Sequence, residues 1–391
     1  MRSALFWLSA VLTLPPAPAA PVLVIALDGF RPDYITRYHA PHLRRFAQSG
    51  AAARLTPAFP STTFPNFLTM ATGLLPDDHG IVEMDFYDPL RRQRWFYRNP
   101  NSTTDASWYS GIPIWVLAEQ AHLRAATFFW PGSDAAIHGV RPWFFRPYDS
   151  RVTPAQKLAQ LRHWLSLDAD SRPHLMMLYF PELDSAGHQF GPDSPEVAQA
   201  VAAIDQIFAG ILDAVAASGI PLDLIVLSDH GMLRVEASIQ LAGIADFSGF
   251  RVINNLFMVQ LYAGDPRRVV PLYRALRRLA PPSWQVYRRQ QLPRHLAYGR
   301  NPRIGDLLIL PTGPYLISLG EPLPKLQGMH GYDPHRFPEL SGVFYAAGPS
   351  FRPAARLPAF DNRHIHALLA RLLGLTPAVE LRDRRLLKLL R

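Results

Sequence analysis

The sequence predicts an α/β protein with a mostly parallel central sheet, and three observations carry that expectation. Four short, nearly continuous apolar runs have the composition of strands buried on both faces: PVLVIAL at 21–27, HLMMLYF at 174–180, LDLIVLS at 222–228 and GVFYAAG at 342–348. Helical patterns such as SPEVAQAVAAIDQIFAGILDAVAASG lie between them, and strands alternating with helices make βαβ units. The chain has 391 residues, 48% hydrophobic and 18% charged, enough for one large core with insertions.

In chain order, the first segment reads as export machinery. Arg2 precedes an apolar stretch from Ala4 to Leu14, and Ala17-Pro18-Ala19 has the small-x-small form of a cleavage site, so residues 1–19 are expected to be a cleaved signal peptide. That stretch is too short to span a bilayer, and no other uninterrupted apolar run reaches about 18 residues. A soluble periplasmic or secreted protein, 20–391, is therefore expected. The chain has no cysteine, which removes disulfides and thiolate ligands and leaves His, Asp, Glu, Ser and Thr for any chemistry.

After the first strand comes FPSTTFPNFLTMATGLLPDDHGIV at 59–82. Phe67, Met70, Ala71 and Leu74 follow helical spacing, with Gly73 and Pro76 as stop signals. Thr63 before this run has two readings. It is an N-cap accepting an orphan amide, or a hydroxyl placed where amides and dipole favour a phosphate that it attacks. Further on, residues from about 249 to 320 read as a small inserted subdomain: strand NNLFMVQLYA, a helix from Pro266 to Leu279, then strand-like WQVYRR and GDLLILP. The 38 prolines indicate extensive loop, where sites are commonly built.

The formal charge of +9 is concentrated in DPRRVVPLYRALRRLAPP and the terminal LRDRRLLKLLR, which have the pattern of solvated faces of amphipathic helices. No aromatic–basic interleaving of the kind that tracks nucleic acid stands out, so duplex binding is not expected. A weak attraction for anions is all that the charge implies.

The strand ends carry the chemistry. PVLVIAL runs into Asp28, HLMMLYF into PELDSAGHQFGP with Asp184 and His188, and LDLIVLS into Asp229-His230; GMHGYDP adds His330. Ligands of open α/β sheets gather outside the carboxyl ends of strands. Each residue alone also fits a turn, a cap or a core histidine. Together, three Asp and three His offer three ligands to each of two divalent ions, and sulfur-free mixed donors suit zinc at a catalytic site.

Asp28, TTFPN with Thr63, ATGLLPDDHGIV, DSAGH, SDHGM and MHGYDP, in that order, resemble the nucleotide pyrophosphatase/phosphodiesterase family of the alkaline phosphatase superfamily. The resemblance runs from about residue 21 to 353. It implies an alkaline phosphatase-like α/β/α sandwich with a small α+β insertion. It also implies two zinc ions, one held by Asp184, His188 and His330, the other by Asp28, Asp229 and His230 with Thr63 as its bound nucleophile. A phosphothreonine intermediate and a nucleoside 5′-monophosphate product follow from it.

The family sandwiches the nucleobase between two rings, which match Phe64 and Tyr148 here; ordinary packing is the other reading of both. Relatives cleave choline phosphodiesters instead, so that substrate class is an alternative, as are a phosphomonoesterase and a non-catalytic nucleotide-binding protein. A monoesterase needs an extra cation over the phosphate, and only Arg31 lies close in sequence to Asp28. One departure from the pattern stands out. Where the family has an asparagine donating to a phosphate oxygen, this chain has Met84, so either the enzyme is slow on ordinary nucleotides or another donor, the amide of Phe64 or the side chain of Asn66, has taken over.

Overall fold

The computed structural model describes residues 20–380 and 383–391, so the expected signal segment 1–19 lies outside the described residues. An eight-stranded sheet forms the centre: β1 (Val22–Leu27), β2 (Ala51–Thr56), β3 (Ala125–Phe128), β4 (Phe144–Arg146), β5 (Leu175–Phe180), β6 (Asp223–Leu227), β7 (Gly342–Ala347) and β8 (Phe360–Asp361), in the order β8-β2-β7-β6-β1-β5-β3-β4. The strands from β6 through β4 are mutually parallel, whereas β7 is antiparallel to both β6 and β2. β1, at the middle, is buried along its whole length, as its unbroken apolar sequence requires.

Eight helices serve the argument: α1 (Pro41–Ser49), α2 (Thr63–Thr72), α3 (Ile114–Gln120), α4 (Pro154–Ser166), α5 (Glu182–Phe190), α6 (Pro195–Ser218), α7 (Val269–Leu279) and α8 (His364–Leu372). α1, α4 and α5 pack on α6, while α2, α3 and α8 pack together, giving helices on both sides of the sheet. α6 starts at Ser194, whose hydroxyl accepts from Val197 N–H, and stops at Gly219 in the left-handed conformation. By length and composition α6 is apolar enough to cross a membrane, a property hidden from the run-length reading by its scattered charges. In this fold its buried Asp205 accepts from the amides of His42 and Leu43 at the start of α1, tying the two helices.

The insertion builds its own antiparallel four-stranded sheet from residues 250–254, 259–263, 307–311 and 284–288, in that spatial order. α7 covers it. Leu261, Leu272, Leu276, Trp284 and Ile309 belong to an apolar cluster separate from the main core.

Candidate active site

α2 runs from Thr63 to Thr72 and ends at Gly73, with φ +75°. Its N-cap is Thr62, in extended conformation and without a side-chain capping bond, so Thr63 is the first helical residue rather than the cap. Phe67 holds the helix in place: it is fully buried, edge-on to Trp130 at 4.8 Å and to Tyr179 at 5.0 Å. Phe67→Ala at such a site costs about 3–5 kcal/mol. With α2 so anchored, the Thr63 hydroxyl lies 3.3 Å from Nε2 of His230.

Asp28 follows β1 and Asp229-His230 follow β6, at the carboxyl ends of adjacent strands. Asp184 and His188 stand one turn apart on α5 rather than in a loop. Gly29, at φ +69°, brings β1 against α5 so closely that a side chain there would meet the Asp184 Cα at 3.0 Å. His330 enters from the chain after Gly328–Met329, which pairs with Leu233–Arg234 just beyond His230. The ligand atoms of Asp184, His188 and His330 lie within 4.8 Å of one another, as do those of Asp28, Asp184 and His230. Asp184 thus stands in both groups. Asp229 joins through Oδ2, 3.1 Å from His230 Nε2.

These donors fit divalent cations. Nδ1 of His188 bonds Gly328 O, that of His230 bonds Gly231 O and that of His330 bonds Ser61 O, each at 2.9 Å. A ring that donates its Nδ1 proton to a carbonyl keeps an Nε2 lone pair, and all three Nε2 atoms turn inward. Opposite them, Asp28 Oδ1, Asp184 Oδ1 and both oxygens of Asp229 are buried without a hydrogen-bond partner among the described residues. Buried anions left so are costly without a cation. The electrostatics say the same. Burial and the neighbouring Asp184 push Asp28 up to about 8, and burial with Asp28 lifts Asp229 well above the carboxylate range. Burial lowers His230 and His188. Burial also opposes a charge on His330, but the neighbouring carboxylates of Asp184, 3.4 Å away, and Asp28 outweigh this and raise it.

Three residues that the sequence did not single out complete the site. Tyr179, near the end of β5, donates its hydroxyl to Asp28 Oδ2. Ser61 donates to Tyr332 O at 2.9 Å and accepts from Gly331 N at 3.0 Å, besides receiving His330. Glu83 is fully buried, and that burial lifts its carboxyl to about 8; its Oε1 accepts from Met84 N at 2.7 Å. A hydroxyl in FPSTT and a carboxylate beside the departing Met84 were the only signals available in the sequence.

At the rim, Phe64 is half-buried and edge-on to Trp95 at 5.1 Å. Tyr148 is 58% exposed, tilted on Phe129 at 5.2 Å, and close enough to Glu182 and Asp28 that partial burial and then these carboxylates raise its phenol. Asn66 does not face a ligand. It is fully buried, its amide donates to Pro60 O and Thr62 O at 2.9 and 2.8 Å, and its carbonyl accepts from Ala58 N and Asn362. Its role is to hold the loop before α2, which corrects the reading of Asn66 as a substrate contact. The Phe64 amide faces Met84 Sδ at 3.2 Å, so the thioether sits on the N–H expected to replace the family's asparagine. Met84→Asn is expected to raise kcat on a nucleoside phosphodiester by about 10²-fold with little change in KM, because the new donor strengthens as charge builds on phosphoryl oxygen. Steady-state kinetics on the metal-loaded variant check this; an unchanged kcat refutes it.

A parallel α/β sheet with a His/Asp centre at its strand ends and a threonine at an adjoining helix N-terminus defines an alkaline phosphatase-like hydrolase scaffold. Comparison with known proteins narrows this. The model of the type I phosphodiesterase/nucleotide pyrophosphatase family matches residues 22–333. An uncharacterised pyrophosphatase/phosphodiesterase of Schizosaccharomyces pombe is 32% identical over 381 residues, 90% of this chain and 77% of that protein. Ectonucleotide pyrophosphatase/phosphodiesterase family member 1 of Rattus norvegicus is 30% identical over 390 residues; the alignment spans 92% of this chain but 41% of that longer protein. Murine ectonucleotide pyrophosphatase/phosphodiesterase 5, solved as an inactive threonine-to-alanine variant in complex with AMP, superimposes with a TM-score of 0.89 at 27% identity, covering 95% of this chain and all of that one. The chain belongs to the type I phosphodiesterase/nucleotide pyrophosphatase family.

Proposed function

We propose that this protein is an exported zinc-dependent phosphodiesterase that cleaves nucleotides and nucleoside 5′-phosphodiesters to nucleoside 5′-monophosphates. The observation that carries the reading is the Thr63 hydroxyl, at a helix N-terminus and 3.3 Å from a buried imidazole nitrogen that keeps its lone pair. Asp184, His188 and His330 would hold one zinc, and Asp28, Asp229 and His230 with Thr63 the other. When bound, such ions lower the pKa of a coordinated hydroxyl and stabilise the attacking and leaving oxygens of an in-line displacement.

The chain's own residues do the rest. Thr63 Oγ1 attacks phosphorus, the phosphothreonine bond forms as the leaving alkoxide or phosphate departs, and water then releases the nucleoside monophosphate. The positive end of the α2 dipole favours the negative phosphoryl group beside Thr63. Phe64 and Tyr148 offer ring faces to the base, worth about 1–3 kcal/mol per stacked base and tolerant of its identity. The AMP complex of the murine relative supports a nucleoside monophosphate as the retained product.

A diester is favoured over a monoester because the arginine close in sequence to Asp28 is already engaged. Arg31 bonds Asp33 through Nε at 2.9 Å and reaches Met232 O at 3.3 Å, so it is not held over the phosphate as a cation for a second negative charge. The test is a side-by-side assay of a nucleoside 5′-phosphodiester with an aryl leaving group against the aryl phosphate monoester. The diester is expected to react at least about 10³-fold faster in kcat/KM, since the ring contacts act only when a nucleoside is attached. Equal rates defeat the assignment.

A further inference from the structure

Lys157 is a buried ammonium to which the hydrolytic scheme gives no task. Its side chain is 1% exposed. On α4 it stands in the stripe of Leu161, Trp164 and Leu165, where helical spacing calls for an apolar residue. A capping box between Thr153 and Gln156 fixes the first turn of α4 and with it the root of this side chain. Burying an ammonium is costly unless its protons find partners, and a packed apolar residue is commonly as stable in its place. Stability alone therefore does not call for lysine here.

The contacts of Nζ lead to two walls of the site. It donates to Tyr179 O at 3.0 Å and to Glu182 Oε1 at 3.1 Å, and lies over the rings of Phe180 at 4.6 Å and Phe129 at 5.4 Å. Tyr179 is the residue whose hydroxyl bonds Asp28, and Glu182 opens α5 two residues before Asp184. Phe129 leads the other way. It is buried, follows β3 directly, donates its N–H to Arg146 O at the end of β4 at 3.2 Å and carries the Tyr148 ring at 5.2 Å. Its φ is +66°, in the left-handed region that a bulky side chain ordinarily avoids and that glycine adopts without strain. The chain thus keeps a ring where the backbone favours none, which marks the ring as the functional part. Tyr148, 58% exposed, packs on no other ring among the described residues.

We infer that Lys157 and Phe129 are positioning residues for nucleobase recognition: the buried ammonium pins the Phe129 ring, and that ring seats Tyr148 at a fixed offset from the segment that leads to Asp184. The inference rests on the nucleotide reading of the site. A cation over an aromatic ring is attracted by its quadrupole, and more strongly where water is excluded. Because the same ammonium bonds the end of β5 and the head of α5, one buried group sets the distance from a stacked base to the reacting phosphorus, and productive attack depends on such offsets.

The test compares kcat/KM on a nucleoside 5′-phosphodiester with that on bis(p-nitrophenyl) phosphate, a diester without a base, using full-length, metal-loaded protein. The parental preference for the nucleoside substrate is expected to fall about tenfold in Tyr148→Ala, and by a similar factor in Lys157→Met and in Phe129→Leu. In a Tyr148→Ala background neither further substitution is expected to change the preference, because the ring they seat is gone. A merely structural role lowers the rates on both substrates and leaves their ratio alone. Affinity for AMP, measured by calorimetry on metal-loaded Thr63→Ala protein, is expected to fall by the same factor when Lys157→Met or Phe129→Leu is added, and it decides the matter where turnover is too slow to compare. A parent without preference for the nucleoside diester, or with a preference that survives Tyr148→Ala, defeats the nucleotide reading and this inference with it. A preference lost in Tyr148→Ala but kept in either Lys157→Met or Phe129→Leu overturns this inference alone, as does a further drop when either is added to Tyr148→Ala.

Discussion

Thr63→Ala is expected to abolish turnover of a nucleoside phosphodiester, by at least about 10⁴-fold in kcat, while zinc content and Tm stay close to the parental values. The nucleophile is the only side chain in the proposed scheme that forms a bond to phosphorus, so no other residue replaces it. The folding cost is small. Thr63 makes no capping bond, and Phe67, Gly73 and the Asn66 network hold α2 without it. Rapid-quench trapping of the labelled phosphoenzyme is the direct measurement: the parent retains label and Thr63→Ala does not. Thr62→Ala is the control, because Thr62 is the N-cap one residue away and its loss is expected to leave the phosphoenzyme intact. Label retained in Thr63→Ala but lost in Thr62→Ala shifts the nucleophile by one position.

Removal of metal is expected to have a comparable effect on rate and a second one on stability. A chelator should reduce activity to background and lower Tm, and added zinc should restore both. The stability effect follows from the four buried carboxylate oxygens without hydrogen-bond donors, and from the lifted values of Asp28 and Asp229. Taking away a cation from such a cluster leaves like charges facing one another in a low-dielectric interior. Activity that survives in protein shown by elemental analysis to be metal-free overturns the zinc reading. A Tm that does not respond to zinc, with activity restored, shows that the ions bind without relieving the buried charge.

Much of this was legible in the chain because the signals are local. The four apolar runs became β1, β5, β6 and β7, and the residues just past the first three are the acids and imidazoles that meet at the site. The direction of β7 was not legible, since an apolar run reads the same whether it pairs parallel or antiparallel. Asp184 and His188 were legible only as residues past a strand end, because Pro181, Gly187 and Gly191 around them mask the helix α5 that carries both on one face at i and i+4. Tyr179, Ser61 and Glu83 went unread because their partners lie up to 271 residues away or are backbone atoms, which no spacing rule reveals. Asn66 was misread for the same reason: its amide looked available until the Pro60 and Thr62 carbonyls were found on it.

Ser61 has a mechanical meaning beyond its hydrogen bonds. Its carbonyl holds His330, its hydroxyl holds the chain at Gly331 and Tyr332, and Thr63 follows two residues later. The Thr63 hydroxyl and the imidazole of His330, from the far end of the chain, are therefore bolted to the same short lever. These bonds fix the separation of the Thr63 hydroxyl and the His330 ring through one short segment. Tyr148, largely in solvent against Phe129, is not part of this lever.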